Sequence, residues 1–121
     1  MRLIFVYNVN SGFLDKIFDN AHKIVSPSTY DCNLCTITFG KFTEDDLWKA
    51  FREHSKIDME FYHKDEFLQK YKSKWLPVFE FPIILSENGM DLEVFIARET
   101  LNTLTNSEEL IEEIKRRSSH Y

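Results

Sequence analysis

The sequence FPIILSENG at residues 81–89 predicts one arm and the turn of a β-hairpin. The apolar run predicts a strand over residues 78–85 that contains Pro82. Asn88-Gly89 supplies the positive φ angles that a tight turn between strands needs. We expect residues 92–97 to return as the antiparallel partner, so that this part of the chain forms two adjacent strands of a sheet.

A helix should follow this hairpin and another strand should precede it. Asn106 or Ser107 is a typical N-cap. The helix after it has an apolar face and a basic last turn, formed by Leu110, Ile111, Ile114, Lys115, Arg116 and Arg117. Near the start of the chain, Arg2–Tyr7 reads RLIFVY, which is typical of a strand buried on both faces. An amphipathic helix is predicted over residues 12–24, and Pro27 makes its continuation unfavourable.

The middle of the chain alternates between the two kinds of element. The β-branched alternation of residues 36–39 predicts a strand. A capping box at Thr43 and Asp46 predicts a helix to about His54. A strand over residues 57–62 and a short helix over 65–71 complete an α/β layout with a mixed central sheet flanked by helices. We expect one domain over residues 1–121.

Composition limits the function. The chain has 121 residues, a mass of 14.5 kDa and a net charge of −5. This charge argues against nucleic-acid and membrane-surface binding, which need excess Lys and Arg. The three glycines stand far apart and form no phosphate-binding loop, which argues against P-loop and Rossmann enzymes. Without an export signal or an 18-residue apolar segment, the expected location is the cytoplasm, where thiols rest in the reduced state.

Cys32 and Cys35 are the strongest candidates for chemistry. Two thiols at C-x-x-C spacing can exchange disulfides: Cys32 attacks as nucleophile and Cys35 resolves the mixed disulfide. The same spacing suits a zinc or iron site, in which either His22 and His63 or the cysteine pair of a second chain would complete the ligand set. The pair can also be two small buried core residues. These three interpretations stay open at this point.

The segment from Phe81 to the terminal helix resembles the C-terminal half of the thioredoxin and glutaredoxin family. The resemblance covers about two-thirds of the chain and includes the C-x-x-C, with 46 residues between Cys35 and Pro82. It implies a single thioredoxin-like domain, a cis bond at Phe81–Pro82, a substrate-shaping role for Pro82, and protein thiols or disulfides as partners without a cofactor. A second alignment makes Arg2–Tyr7 the central strand, so that residues 8–11, which hold no cysteine, take the place of the redox motif.

Other polar residues have less specific patterns. His63 follows a predicted strand and is either a proton carrier near the thiols or a neighbour of Asp65, which would cap the next helix. Asn8, Asn10 and Ser11 follow the first strand and are more typical of capping than of catalysis. The glutamates of the last helix, at residues 108, 109, 112 and 113, are interpreted as a solvated face.

Overall fold

The computed structural model describes residues 2–9, 32–39, 43–71, 79–89 and 91–119. The strands within these ranges are β1 (Arg2–Tyr7), β2 (Asp58–His63), β3 (Ile83–Asn88) and β4 (Asp91–Ile96). The helices are α1 (Asn33–Thr38), α2 (Asp46–His54), α3 (Lys64–Lys70), α4 (Arg98–Leu101) and α5 (Ser107–Ser118). Among these helices, none is long and apolar enough to pass through a bilayer. The predicted helix over residues 12–24 lies outside the described residues.

The four strands form one mixed sheet in the order β2-β1-β3-β4. Strand β1 runs parallel to β2 and antiparallel to β3. Its residues from Leu3 to Val6 are fully buried, because the sheet is covered on both faces. This confirms the α/β class and the prediction that RLIFVY is a strand buried on both sides.

The predicted hairpin is present. Strands β3 and β4 pair antiparallel, and Gly89 in the turn has a φ of +64°, in the left-handed region that favours glycine. The first strand begins later than predicted, because β3 starts at Ile83 and does not contain Pro82. A proline has no N–H for the strand ladder, so its place just before the first paired residue is favourable.

Hydrophobic clusters of unequal size cover the two faces of the sheet. The larger cluster joins Leu3 and Phe5 of β1 to α1, α2 and α5, and it contains both cysteines. Trp48 of α2 is fully buried in it and packs edge-to-face on Phe5 at 5.5 Å between ring centroids. The smaller cluster joins Ile4 and Val6 to α3. The cysteine pair therefore lies on the more extensively packed face.

The prediction of a strand over residues 36–39 is wrong, because residues 33–38 form helix α1. Each β-branched residue lowers helix stability by less than about 0.7 kcal/mol. Helix α1 buries Leu34 and Ile37, and burying such side chains stabilises by about 1.5–3 kcal/mol each. Tertiary burial thus outweighs local preference.

Helix α2 ends at His54, as predicted, but its start differs. The N-cap is Asp45 rather than Thr43, and its carboxylate accepts the Trp48 N–H at 3.0 Å. The same Asp45 oxygen accepts a hydrogen bond from the Ser107 hydroxyl at 2.5 Å. Asp45 therefore ties the start of α2 to the start of α5.

Candidate functional site

Cys32 and Cys35 are joined by a disulfide, with an S–S distance of 2.08 Å and a Cα–Cα distance of 5.3 Å. The sequence led us to expect reduced thiols, and the structure instead holds the pair in its oxidised form. The Cα separation agrees with the requirement that two bridgeable cysteines lie within about 7 Å. The two residues can therefore close a disulfide within one helical turn.

The local structure that brings the sulfurs together is the first turn of α1. Cys32 is its N-cap, and its Sγ accepts the N–H of Cys35 at 3.3 Å. The Cys32 carbonyl accepts the N–H of Thr36 at 3.1 Å, which closes the first turn. A helix therefore starts at the C-x-x-C motif and continues through residues 36–38, where local preference alone predicts a strand.

The residue that follows β1 contacts the Sγ of Cys32. Asn8 directly follows β1, and its backbone N–H donates to the Sγ of Cys32 at 3.3 Å across 24 residues of sequence. The second alignment proposed from sequence left the place after β1 without a cysteine. In the fold, Cys32 lies beside the end of β1 although it comes from a later part of the chain. The C-x-x-C motif therefore lies at the same end of the sheet as the end of β1.

Pro82 belongs to the same end of the sheet. The Phe81–Pro82 peptide bond is cis, as the family resemblance predicts, and Pro82 is buried. In the antiparallel register, Val6 faces Ile83. Pro82 directly precedes this pair, at the end of β3 that lies beside the end of β1.

Asn33, between the two cysteines, makes a contact that the sequence did not reveal. Its side-chain nitrogen Nδ2 donates to the carbonyl of Leu101 at 2.5 Å and to that of Leu104 at 2.8 Å. Both acceptors lie about 70 residues away, at and just beyond the end of α4. An asparagine inside the motif is the only sequence signal for this contact, and its distant backbone partners leave no sequence trace.

Buried polar contacts hold the other end of α1. The Thr38 hydroxyl donates to the Leu34 carbonyl at 2.6 Å, and the Thr38 carbonyl accepts the Asp45 N–H at 2.7 Å. Burial raises the pKa of Tyr7, and a hydrogen bond with Thr38 opposes this effect. Tyr7 is buried in the larger hydrophobic cluster, and its ring packs edge-to-face on Phe39.

Both cysteines are nearly inaccessible. Each side chain is 2% exposed and belongs to the larger hydrophobic cluster. A redox nucleophile must be accessible to its substrate, and in this conformation both cysteines are buried. Any reaction with an external thiol therefore requires a local opening that exposes Sγ.

His63 lies at the same end of the sheet but has a capping role. It is the N-cap of α3, and its backbone N–H and ring Nδ1 lie 2.8 and 2.7 Å from Oε1 of Glu66. These contacts with the backbone and side chain of His63 lower the pKa of Glu66. The cap of α3 is thus built from His63 and Glu66, and Asp65 lies in the first turn.

The alternative metal site draws no support from the residues that the structure describes. Within them, no three or more His, Cys, Asp and Glu side chains form a group that could hold an ion. Cys32 and Cys35 bond to each other, and His63 contacts Glu66. His22 lies outside the described residues, as do Asn10 and Ser11.

The glutamates of α5 are engaged locally. Glu109 accepts hydrogen bonds from the backbone N–H and hydroxyl of Thr105 at 2.7 and 2.9 Å. Glu113 pairs with Arg116 and with Arg117. Glu108, Glu109 and Glu112 are exposed, in agreement with a solvated face, whereas the Glu113 side chain is only 18% exposed.

Comparisons with protein families, with curated proteins and with solved structures find no match to this chain. What the site can do chemically follows from its own geometry. One sulfur receives two backbone N–H groups, its partner lies within bonding distance, and both are shielded from solvent. The site is a C-x-x-C disulfide at the end of the central strand of an α/β sheet.

Proposed function

We propose that this chain is a thioredoxin-like protein in which Cys32 and Cys35 exchange disulfides with protein thiols. The observation that carries the proposal is the closed Cys32–Cys35 pair beside the end of β1, with the N–H groups of Asn8 and Cys35 on one sulfur. A helix that starts at the motif and an antiparallel hairpin followed by a terminal helix also support the family resemblance.

The hydrogen bonds distinguish the two sulfurs chemically. Two N–H donors facing the Sγ of Cys32 stabilise negative charge there after reduction. Cys32 is therefore the better nucleophile, and Cys35 is the resolving thiol. This assignment agrees with the order that the motif predicts.

The proposed reaction conserves electrons and protons. The Cys32 thiolate attacks a substrate disulfide, forms a mixed disulfide and releases one substrate sulfur as a thiolate. Cys35 loses its proton and attacks the Sγ of Cys32, which re-forms the Cys32–Cys35 bond and releases the second substrate thiolate. Two electrons have passed to the substrate, which takes up the two thiol protons, and a second dithiol or two small thiols reduce the protein again.

Burial sets the expected kinetics. Because both cysteines are buried, exchange proceeds from an opened conformation of low population. The rate should therefore rise with reductant concentration and reach a plateau at the opening rate. In the cytoplasm, where we place the chain as part of this proposal, the disulfide would be a transient state of turnover.

The test is reduction of insulin disulfides by the wild type and by the Cys32→Ser and Cys35→Ser variants. Wild type should reduce insulin with dithiothreitol as electron source, and Cys32→Ser should be inactive. Cys35→Ser should trap a mixed disulfide detectable by mass. Bound zinc is measured on the same samples: metal in wild type that is lost in both variants, without insulin reduction, would replace the redox proposal with the metal site.

A second candidate is a domain in which the disulfide only stabilises the fold. The low exposure of both sulfurs favours it. In that case wild type would show neither insulin reduction nor bound metal. Reduction of the protein would then lower its stability without any transfer to a substrate.

A further inference from the structure

Asn33 joins the cysteine pair to a distant part of the chain. The two hydrogens of its side-chain amide reach the carbonyls of Leu101 and Leu104 at 2.5 and 2.8 Å. Carbonyls at the end of a helix such as α4 lack partners within the helix. The Asn33 amide therefore gives the Leu101 carbonyl a second donor, beside the Leu104 N–H, and gives the Leu104 carbonyl a side-chain donor.

The segment that Asn33 contacts is itself well anchored. Leu101 is fully buried, and Leu104 packs against the larger hydrophobic cluster. The Leu104 N–H also donates to the Leu101 carbonyl at 3.2 Å. Asn33 therefore attaches the first turn of α1 to a hydrogen-bonded turn that packs on the larger hydrophobic cluster.

The disulfide and the Asn33 contacts restrict the same four residues. Closing the disulfide fixes the backbone from residue 32 to residue 35, and the Asn33 amide fixes the residue directly after Cys32. Each constraint lowers the conformational entropy of these residues. The entropic cost of forming the second constraint is therefore smaller once the first is in place. With Asn33 in place, the Cys35 thiol is held at a higher effective concentration near Cys32.

We propose that Asn33 is the positioning residue that favours closure of the Cys32–Cys35 disulfide by attaching the first turn of α1 to residues 101–104. This inference rests on the proposed function in that it concerns the same dithiol. Loss of these two hydrogen bonds should lower the equilibrium constant for disulfide closure about tenfold. For a two-electron couple, this corresponds to a reduction potential about 30 mV more positive.

The test is the redox equilibrium of the full chain in dithiothreitol buffers of graded potential. Free thiols are blocked by alkylation and counted by mass. Asn33→Ala should shift the midpoint toward the reduced form by about tenfold. Asn33→Asp, which has the same shape but offers a carboxylate to the two carbonyls, should shift it at least as far.

Asn102→Ala is the matched control, because this exposed asparagine lies in the same segment. It should leave the redox midpoint unchanged. A merely structural role for Asn33 would destabilise the oxidised and reduced proteins equally and leave the midpoint where it is in wild type. That result, or equal shifts for Asn33→Ala and Asn102→Ala, would overturn the inference.

A measurement on wild type covers the case in which the Asn33 variants do not fold. Hydrogen exchange of the Leu104 amide is compared between the oxidised and reduced protein. It should be about tenfold faster after reduction, since the coupling acts in both directions, while exchange at Ile114 in the core of α5 stays the same. Equal protection of Leu104 in both forms would contradict the coupling.

The outcomes separate this inference from the proposed function. The redox midpoint needs no protein substrate, so the coupling can hold in a protein that reduces no insulin. Conversely, insulin reduction with an unshifted Asn33→Ala midpoint would retain the proposed function and remove Asn33 from it.

Discussion

Helices α1 and α5 begin with the same capping geometry but are held in different ways. At α5 the Asn106 side chain accepts the Glu109 N–H at 2.9 Å, and at α1 the Cys32 Sγ accepts the Cys35 N–H at 3.3 Å. Helix α5 has 12 residues, acidic residues in its first turn and basic residues in its last turn. Helix α1 has six residues and neither feature.

The two helices differ in how far apart in sequence their stabilising contacts are. The capping and charge pattern of α5 is contained within its own sequence, which favours a helix before any tertiary contact forms. Helix α1 depends on Asn8, on the carbonyls reached by Asn33, and on burial of Leu34. A segment with weak helical preference can thus form the helix that carries the candidate site, provided that the fold surrounds it.

The largest expected effect tests whether burial holds both helices equally. Leu34 in α1 and Leu110 in α5 are both fully buried. Leu34→Ala and Leu110→Ala should each lower the free energy of unfolding by about 3 kcal/mol, because each leaves a cavity in the core. The measurement is chemical denaturation of the oxidised protein.

Leu47→Ala is the control for these two variants, because Leu47 is 50% exposed in α2. It should change the free energy of unfolding by less than about 0.5 kcal/mol. A loss below about 1 kcal/mol for Leu34→Ala would show that the core does not hold α1, and the comparison of the two helices would fail.

The next effect compares the crosslink of α1 with the cap of α5. The Cys32→Ser, Cys35→Ser double variant keeps a good N-cap residue at position 32 and loses the crosslink. The chain-entropy relation for so short a loop gives a loss of about 2 kcal/mol. Asn106→Ala removes the cap of α5 and should lower the free energy of unfolding by about 1 kcal/mol.

Adding dithiothreitol separates the two contributions. It should destabilise wild type and Asn106→Ala by the same amount and leave the double cysteine variant unchanged. If dithiothreitol left the stability of wild type unaltered, the disulfide would not contribute to holding α1, and the local contacts would have to suffice.

The smallest expected effect concerns pH. Hydrogen bonds from the Thr105 N–H and hydroxyl lower the pKa of Glu109 from its usual 4.5. A lowered folded-state pKa means that the ionised group stabilises the fold above the usual value, and that this stability is lost as pH falls through the lowered pKa. Glu109→Gln should therefore be less stable than wild type at neutral pH and equal to it in strong acid.

Denaturation curves at neutral pH and in strong acid measure this difference. Glu108→Gln is the control, since its exposed carboxylate is on the same helical turn. Helix α1 has no acidic residue in its first turn and should add nothing to this pH dependence. A Glu109→Gln difference that persisted unchanged in acid would rule out its carboxylate as the source.

The sequence predicted elements whose signals are local. The Asn88-Gly89 turn, the antiparallel pair of strands beside it and the buried face of α5 follow from neighbouring residues, and the structure confirms them, with β3 starting later than predicted. The sequence left Asn106 and Ser107 open as the cap of α5, and the structure has Asn106. The sequence predicted the N-cap of α2 at Thr43, whereas the structure has it at Asp45. Several residues there can cap a helix, and Asp45 is the one that also contacts Ser107.

For the candidate site, the sequence predicted which residues carry the chemistry but not the helix or the contacts that position them. The spacing of Cys32 and Cys35 is a property of the sequence and predicts a closable pair. Helix α1, which starts between the two cysteines, was missed because its β-branched residues favour a strand. The contacts of Asn33 were missed because its partners are backbone carbonyls about 70 residues away. No local pattern contains that information.

The sequence by itself determined the α/β class, the buried central strand, the hairpin and the presence of a C-x-x-C, because each depends on residues within a few positions of one another. Only the tertiary structure decided that the motif starts a helix and that its first sulfur meets the end of β1. Those features depend on burial of Leu34 and Ile37 and on contacts across distant parts of the chain. Their free energy exceeds the weak local preference for a strand, and it exists only once the sheet and its covering helices have come together.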